Sequence, residues 1–408
     1  MEQDVTIQPA PIYDCIIIGG GISGIAFAHK LSRQGKKVVI LEKEGRLGGQ
    51  IQTYVSATHS TFWAELGAHT CYNSYVRLLS VVQEAGLQPD LLPLDKASYK
   101  LYVNDKIKSI ASYISYFPMM VGCLKMPFAS KEKKSVKEFF RPIVGAFNYD
   151  CLFSPLFRAV ICQDADDYPA SFFLKRRAER IKEVSHKYSF QRGLLALLNG
   201  IVEKDELSVR VGAEVVSIDR KGDIYSVKTA QAETLMAYNV TLATNPQVTA
   251  CLLKGLEIQI SDYLKTIPLF RSEAISVVVD KNAVNLPKIA GLISLSDAFL
   301  SVVSRDVSGH SHLRGFTFHF YDSRQSEKEK LHTICQVLRI KEEGILERSS
   351  TSHILPSPRV EHLDIISQIN RLRTHPRLFI VGNYFYGLSL EDCVHRACDE
   401  SDRFMTEI

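Results

Sequence analysis

The sequence predicts an α/β fold in which a parallel-sheet domain is assembled from separate stretches of chain and a mixed α+β domain is inserted between them. Three observations lead there. A strand, glycine turn, helix and second strand occupy residues 13–42. A further strand, loop and helix close the chain over 378–405. The residues between mix helical and strand-like stretches, with no internal repeat and no low-complexity linker.

The first element is "YDCIIIGG", beginning at Tyr13, a short β-rich apolar run that stops at glycine. "ISGIAFAHKLSRQG" then reads as a helix, with Ile25, Ala28 and Leu31 on one face and Gly35 as its end. "KKVVILE" is the second strand. Gly19, Gly21 and Gly24 fill the pattern GxGxxG, with Ile22 and Ser23 inside it. The first glycine permits a tight turn, the second admits a pyrophosphate to the backbone, and the third lets helix and strands pack closely. Amides at the helix N-terminus face the phosphates. Glu42, followed by Lys43, ends the second strand. A carboxylate there accepts hydrogen bonds from the ribose hydroxyls of an adenosine and disfavours a 2′-phosphate.

"GRLGGQ" follows at once. A nicotinamide-only enzyme has no need of it. Gly48 and Gly49 let the chain pass close to a further part of a long cofactor, and Arg46 offers a cation to a phosphate. The pattern E-x3-R-x-G-G-[RQ]-x2-T, set by Glu42, Arg46, Gly48, Gly49, Gln50 and Thr53, resembles the FAD signature of the flavin amine oxidase and protoporphyrinogen oxidase superfamily. That superfamily usually has Arg where Gln50 stands. The resemblance implies a Rossmann-type FAD-binding domain. "ELGAHT", with Gly67 and Ala68, is similar to the segment whose backbone passes the isoalloxazine ring.

Distant stretches extend the likeness. "VRVGAEVVSIDRKGDIYSVKT" reads as two strands turning at Gly222, and Val215 falls where the superfamily contacts the adenine through its backbone. "SFQRGLLALLNGIV" and "VTLATNP" resemble the segments on either side of this pair. "LFIVGNYFYGLSLEDCVHRACDESDRF" reads as strand, loop and helix, with Ser389 as N-cap. It resembles a motif typical of protoporphyrinogen oxidases through Gly382, Asn383, Leu388, Ser389, Leu390 and Cys393, although valine is usual at Leu388. The resemblance aims the positive end of this helix at the flavin pyrimidine edge. It makes Cys393 a packing residue. The likeness is loose in the middle of the chain, where "SHILPSPRVEHLDIISQINRL" lacks the usual P-x-Y and G-H details. The implied FAD domain takes residues 12–95, 200–250 and 356–408. The substrate domain takes 96–199, with helices, and 251–355, with a sheet.

The resemblance implies an FAD-dependent oxidase. Its leading reaction is oxidation of protoporphyrinogen IX to protoporphyrin IX in haem biosynthesis, with hydride passing to flavin N5. The alternative is another FAD oxidase or dehydrogenase acting on an amine or a polycyclic natural product. A flavin-fold binding subunit without turnover is the third reading, and the intact glycine loops argue against it. No catalytic residue is assigned, because the flavin does the redox work. A small apolar substrate with propionates wants an apolar slot and a cation, for which Lys96 and Lys100 are the candidates; both also read as surface charges. Amine oxidases of this fold usually carry a lysine at a water beside flavin N5. Here Lys281 stands past an apolar run, near a turn.

Composition narrows the classes further. A formal net charge of +4 gives no case for nucleic acid. The basic runs "KRRAER" and "KEKK" read as a solvated helix face or loop, with contact to anionic lipid as the other reading. Nine cysteines without a CxxC pair read as reduced thiols of a cytoplasmic protein. His310, His312 and His319 read as a solvated hairpin, so no metal is expected. The opening residues show no secretory leader, and no apolar run reaches the ~18 residues of a spanning helix. "IASYISYFPMMVGCL", Ile110 to Leu124, reads first as a buried segment. Its other reading is an apolar patch with basic flanks, peripheral to a membrane. The oligomeric state stays open.

Overall fold

A computed structural model describes residues 11–373 and 375–407. The first ten residues, which carry most of the leader reading, lie outside the described residues. Two seven-stranded sheets form the frame. In the first, Ile12–Ile18 is flanked in parallel by Val38–Leu41 and Thr234–Leu242. Ser208–Arg210 extends one edge, while Leu378–Ile380 pairs in parallel with the upper half of Thr234–Leu242. The lower half of that strand continues as an antiparallel meander through Ile224–Thr229 and Val215–Lys221. In register, Ile18 lies beside both Leu41 and Leu242. Three loops therefore leave the sheet at one level, at the carboxyl ends of parallel strands, where α/β folds bind their ligands.

The helix Ile22–Ser32 is buried nearly all round. It is sandwiched: the sheet lies beneath, and the final helix Leu390–Glu407 lies above. Phe27, Phe379 and Phe404 join the three layers with ring centroids 5.2–6.3 Å apart. Ser389 caps the final helix, its hydroxyl accepting from the amide of Asp392 at 3.1 Å.

The second sheet runs in the order 345–356, 269–280, 313–321, 301–304, 291–294, 99–103 and 106–108. Side chains alternate between its faces. Ile275, Val277, Phe316, Phe318 and Phe320 take the outer face, where the helix Glu327–Leu338 covers them with Ile334, Val337 and Leu338. The pairings Ser272–Tyr321–His353, Ala274–His319 and Ser276–Thr317 set these residues on the inner face. That face turns toward residues 62–69. Thr317 Oγ1 donates to Glu65 O at 2.8 Å, and His353 Nε2 donates to Leu66 O at 2.8 Å.

The 96–199 stretch is mainly helical but supplies strands to two sheets. Tyr99–Val103 and Lys106–Lys108 join the second large sheet. Lys187–Phe190 pairs instead with Cys71–Tyr72 and Leu91–Pro93. The helices between, over 136–161, pack on an aromatic cluster of Phe139, Tyr149, Phe157, Tyr168 and Phe173. Leu152 and Phe153 carry that layer onto Leu101 and Ile293 of the sheet. One expectation is corrected here. The segment Ile110 to Leu124 is not a core segment: its Phe117, Met120 and Leu124 are 77%, 67% and 75% exposed. Hydropathy alone cannot distinguish an apolar segment inside a core from one on its surface.

Candidate functional site

The two glycine loops meet backbone to backbone. Gly48 N–H donates to Gly20 O at 2.9 Å, and Gly21 and Gly48 form an isolated parallel bridge. Gly48 and Gly49 take φ of +110° and +55°, values that favour glycine. A Cβ on Gly24 would stand 2.1 Å from Gly19 O, so only glycine lets the helix start there. Gly21 differs: a Cβ there would meet nothing closer than Gly48 O at 4.0 Å. Beside this open cradle the helix Ile22–Ser32 has no side-chain cap and no acidic residue in its first turn. Its first amides are therefore free for an anion.

The other cofactor candidates surround the cradle. Glu42 is buried and accepts from Gly20 N at 2.7 Å and Glu44 N at 2.9 Å. Each carboxylate oxygen keeps a lone pair for a further donor. Ala213 N donates to Glu42 O at 2.8 Å, which brings the strand start at Val215 alongside. Lys43 is exposed. Arg46 braces its own loop, donating to Leu47 O at 2.9 Å and Gly49 O at 3.2 Å. Gln50 Oε1 accepts from Ile354 N at 3.1 Å and so ties this loop to the second sheet. Arginine, which has no acceptor atom, cannot make that bond.

Gly67 and Ala68 lie where the cradle side meets the inner face. A Cβ on Gly67 would stand 3.2 Å from the His353 ring. Three histidines collect here: His353, His319 with Nδ1 3.2 Å from Ser301 Oγ, and His69 with Nε2 3.3 Å from Tyr99 OH. Burial pushes all three below the ordinary histidine range, His319 to about 3. They are neutral at pH 7. The hydroxyls of Ser272 and Ser276 on the same face are buried without a partner among the described residues. Across the cradle, Gly382 and Asn383 begin the loop after Leu378–Ile380, and Leu388, Ser389 and Leu390 lead into the final helix.

A single family description, flavin-containing amine oxidoreductase, matches residues 22–405. The chain belongs to that family. Family membership makes FAD its cofactor, and the open cradle beside an uncapped helix fits a pyrophosphate. A UDP-galactopyranose mutase of Mycoplasma pneumoniae is 29% identical over 26% of this chain and 30% of its own length. A flavin-containing amine oxidase of Danio rerio is 25% identical over 58% and 51%. Protoporphyrinogen oxidase 2 of Arabidopsis thaliana is 25% identical over 37% and 33%. The chain thus spans about a third to a half of these curated relatives. Among solved structures, a candidate protoporphyrinogen oxidase from Exiguobacterium sp. 255-15 superposes with a TM-score of 0.77 at 15% identity, covering 98% of this chain and 99% of that one. Cyclohexylamine oxidase from Brevibacterium oxydans does so with 0.73 at 15% identity, covering 97% and 99%. At such identity these two show the shared fold.

Within this amine oxidoreductase fold the two substrate lysines stand apart from the site. Lys96 is exposed, and Lys100 pairs with Leu292 on the sheet's outer face. Lys281 is exposed beyond its strand. The structure also corrects two surface readings. His319 is buried on the inner face, away from His310 and His312. In "KRRAER", Lys175 donates to Tyr386 O and to Asp392 Oδ1 at 3.1 Å, while Arg177 Nη2 reaches Ser389 Oγ and Asp392 Oδ1, each at 3.0 Å. These two cations fix the start of the final helix. The run has no regular secondary structure; Lys175 and Arg177 are half-buried while Arg176 between them is exposed, a pattern that a basic composition conceals. The Cys393 thiol is buried and pushed up to about 12 by desolvation. Among the described residues no group of three His, Cys, Asp or Glu side chains could hold a metal ion, and no helix is long and apolar enough to cross a membrane.

Glu65 is buried between the loop regions at Thr53 and Leu194 and yields a pH prediction. Its Oε1 accepts from Leu194 N at 2.6 Å and its Oε2 from Thr53 Oγ1 at 2.8 Å. Burial raises its carboxyl to about 8 from 4.5. The folded state therefore holds a proton that the unfolded state releases between those values. This contribution is complete below about 4.5 and is lost as pH rises through about 8. Each unit corresponds to roughly 1.4 kcal/mol. Glu65→Gln keeps the acceptor for Leu194 and removes the titration. Its Tm should fall less than that of the parent between pH 5 and 8.5; identical slopes would remove Glu65 as the cause.

Proposed function

We propose that this family member oxidises protoporphyrinogen IX to protoporphyrin IX, a step of haem biosynthesis. The composition of the inner face carries the reading. Among the described residues it presents serines, threonines and neutral histidines, and no lysine. Lys330, the one lysine buried among the described residues, ion-pairs with Glu273 on the outer side. An amine oxidase of this fold usually has a lysine near the flavin. A tetrapyrrole that gives up hydride from carbon and protons from its own pyrrole nitrogens makes no such demand.

When bound, FAD supplies the hydride acceptor. The amides around Gly19, Gly21, Ile22, Ser23 and Gly24 would hold its pyrophosphate, Glu42 its ribose hydroxyls and Val215 its adenine. Gly67, Ala68, Gly382, Asn383 and the helix start at Leu388–Leu390 would line the flavin. The aromatic helices over 136–161 exclude water from the inner face. At their rim Arg158 Nη1 meets Tyr321 OH at 3.1 Å and Asp297 at 2.8 Å, and its Nε is buried without a partner. It is a better-placed cation for a propionate than either candidate lysine. Arg158→Met should raise KM several-fold and leave kcat nearly unchanged, as loss of uniform binding does; an unchanged KM would remove it from the site.

The deciding experiment is anaerobic mixing of the flavin-loaded protein with protoporphyrinogen IX. Bleaching of the visible flavin band, then porphyrin fluorescence on admitting oxygen, is the expected result. A protein that stays oxidised with the porphyrinogen, yet forms hydrogen peroxide with putrescine or cyclohexylamine, would overturn the proposal.

A further inference from the structure

The exposed segment 110–128 is held outward by construction. A Cβ on Gly122 would stand 2.0 Å from Ile143 O, and one on Gly145 2.7 Å from Pro118 Cβ. The short helix Tyr116–Cys123 is therefore seated by its backbone on the helix Val136–Val144, with no room to roll its larger side chains inward. Phe117, Met120 and Leu124 face solvent, and Phe128 beyond them is 90% exposed. Phe147, 64% exposed, adjoins them just past Gly145. A contiguous apolar surface of this kind marks an interaction site.

Charge identifies the partner. Lys106, Lys108, Lys125, Lys133 and Lys134 are all exposed, and Glu132 is the only acidic residue between 106 and 134. We propose that this surface docks on a lipid bilayer with anionic headgroups. The aromatic and aliphatic side chains enter the interfacial layer while the lysines meet the headgroups. A second copy fits less well, because a two-fold contact through this patch would bring two lysine rims together. The inference is independent of the substrate proposed above.

Cosedimentation of the purified full chain with vesicles tests it. Phosphatidylcholine mixed with phosphatidylglycerol should retain the protein, phosphatidylcholine alone should retain much less, and high salt should weaken the retention. The variant F117E/L124E/F128E should lose at least tenfold in partition with Tm unchanged, since all three side chains are exposed. K125E/K133E/K134E should lose the preference for the anionic lipid. Equal partition of the parent and the triple glutamate variant would overturn the proposal, as would no retention on either vesicle. A dimer abolished by the same three glutamates, without vesicle binding, would assign the face to a second copy instead.

Discussion

Gly21→Val is expected to give a folded protein that does not hold FAD. Gly21 sits at φ −80° and ψ 177°, extended backbone open to any residue. A Cβ there has space, with only Gly48 O at 4.0 Å. The fold therefore tolerates the change, but the new side chain fills the cradle between the glycine loops. A pyrophosphate deprived of two amide donors forfeits about 3 kcal/mol at about 1.5 per charged hydrogen bond. That is about 100-fold in Kd. Gly24→Ala is the contrast, because its Cβ collides with Gly19 O and damages the fold as well. The readouts are flavin absorbance per mole of protein and the Tm of the flavin-free form. A valine variant that stays fully yellow would dismiss the cradle as the phosphate site.

Glu400→Ala should produce the largest loss of stability. This buried carboxylate forms ion pairs with Arg373, with Arg396 Nη2 at 2.8 Å and with Arg403 Nη2 at 3.0 Å. Arg396 is itself 3% exposed. Removing the anion leaves a buried cation uncompensated, a loss of about 3–5 kcal/mol. For a chain of 408 residues that corresponds to a fall of roughly 5 °C in Tm. The damage reaches the site, because Arg396 Nε donates to Ile380 O at 3.2 Å and its guanidinium lies 3.8 Å over Phe385. The loop from Gly382 to Leu390 should loosen, and flavin should dissociate faster. A Tm within a degree or two of the parent would show that the arginines find other partners.

The parts legible in the sequence were those written locally. Strand, glycine turn, helix and acid lie within residues 13–42, and each residue type there answers a short-range steric or electrostatic demand. The final helix with its serine cap was legible for the same reason. The inner face was not. Ser272, His319 and His353 belong to three strands and become neighbours only through antiparallel register. Their polar character suggests solvent until the outer face is seen to carry the phenylalanines. Lys175 and Arg177 were hidden by their company, and residues 110–128 by their hydropathy. In each case composition reports what a residue tolerates, whereas the partner chain segment decides where it goes.

The order in which the first sheet acquires its strands has a consequence for biosynthesis. Its strands come from 12–41, 208–242 and, last, 378–380, followed by the closing helix. On the ribosome the opening βαβ unit emerges long before Phe379 and Phe404 exist to cover Phe27. The nascent chain must carry an exposed apolar helix through most of translation, a state that invites aggregation and chaperone capture. Flavin incorporation then waits for synthesis of the helix Leu390–Glu407 that covers Phe27. A nonsense codon shortly ahead of Leu390 would leave a long polypeptide with every glycine of the cradle in place and no roof over its first helix.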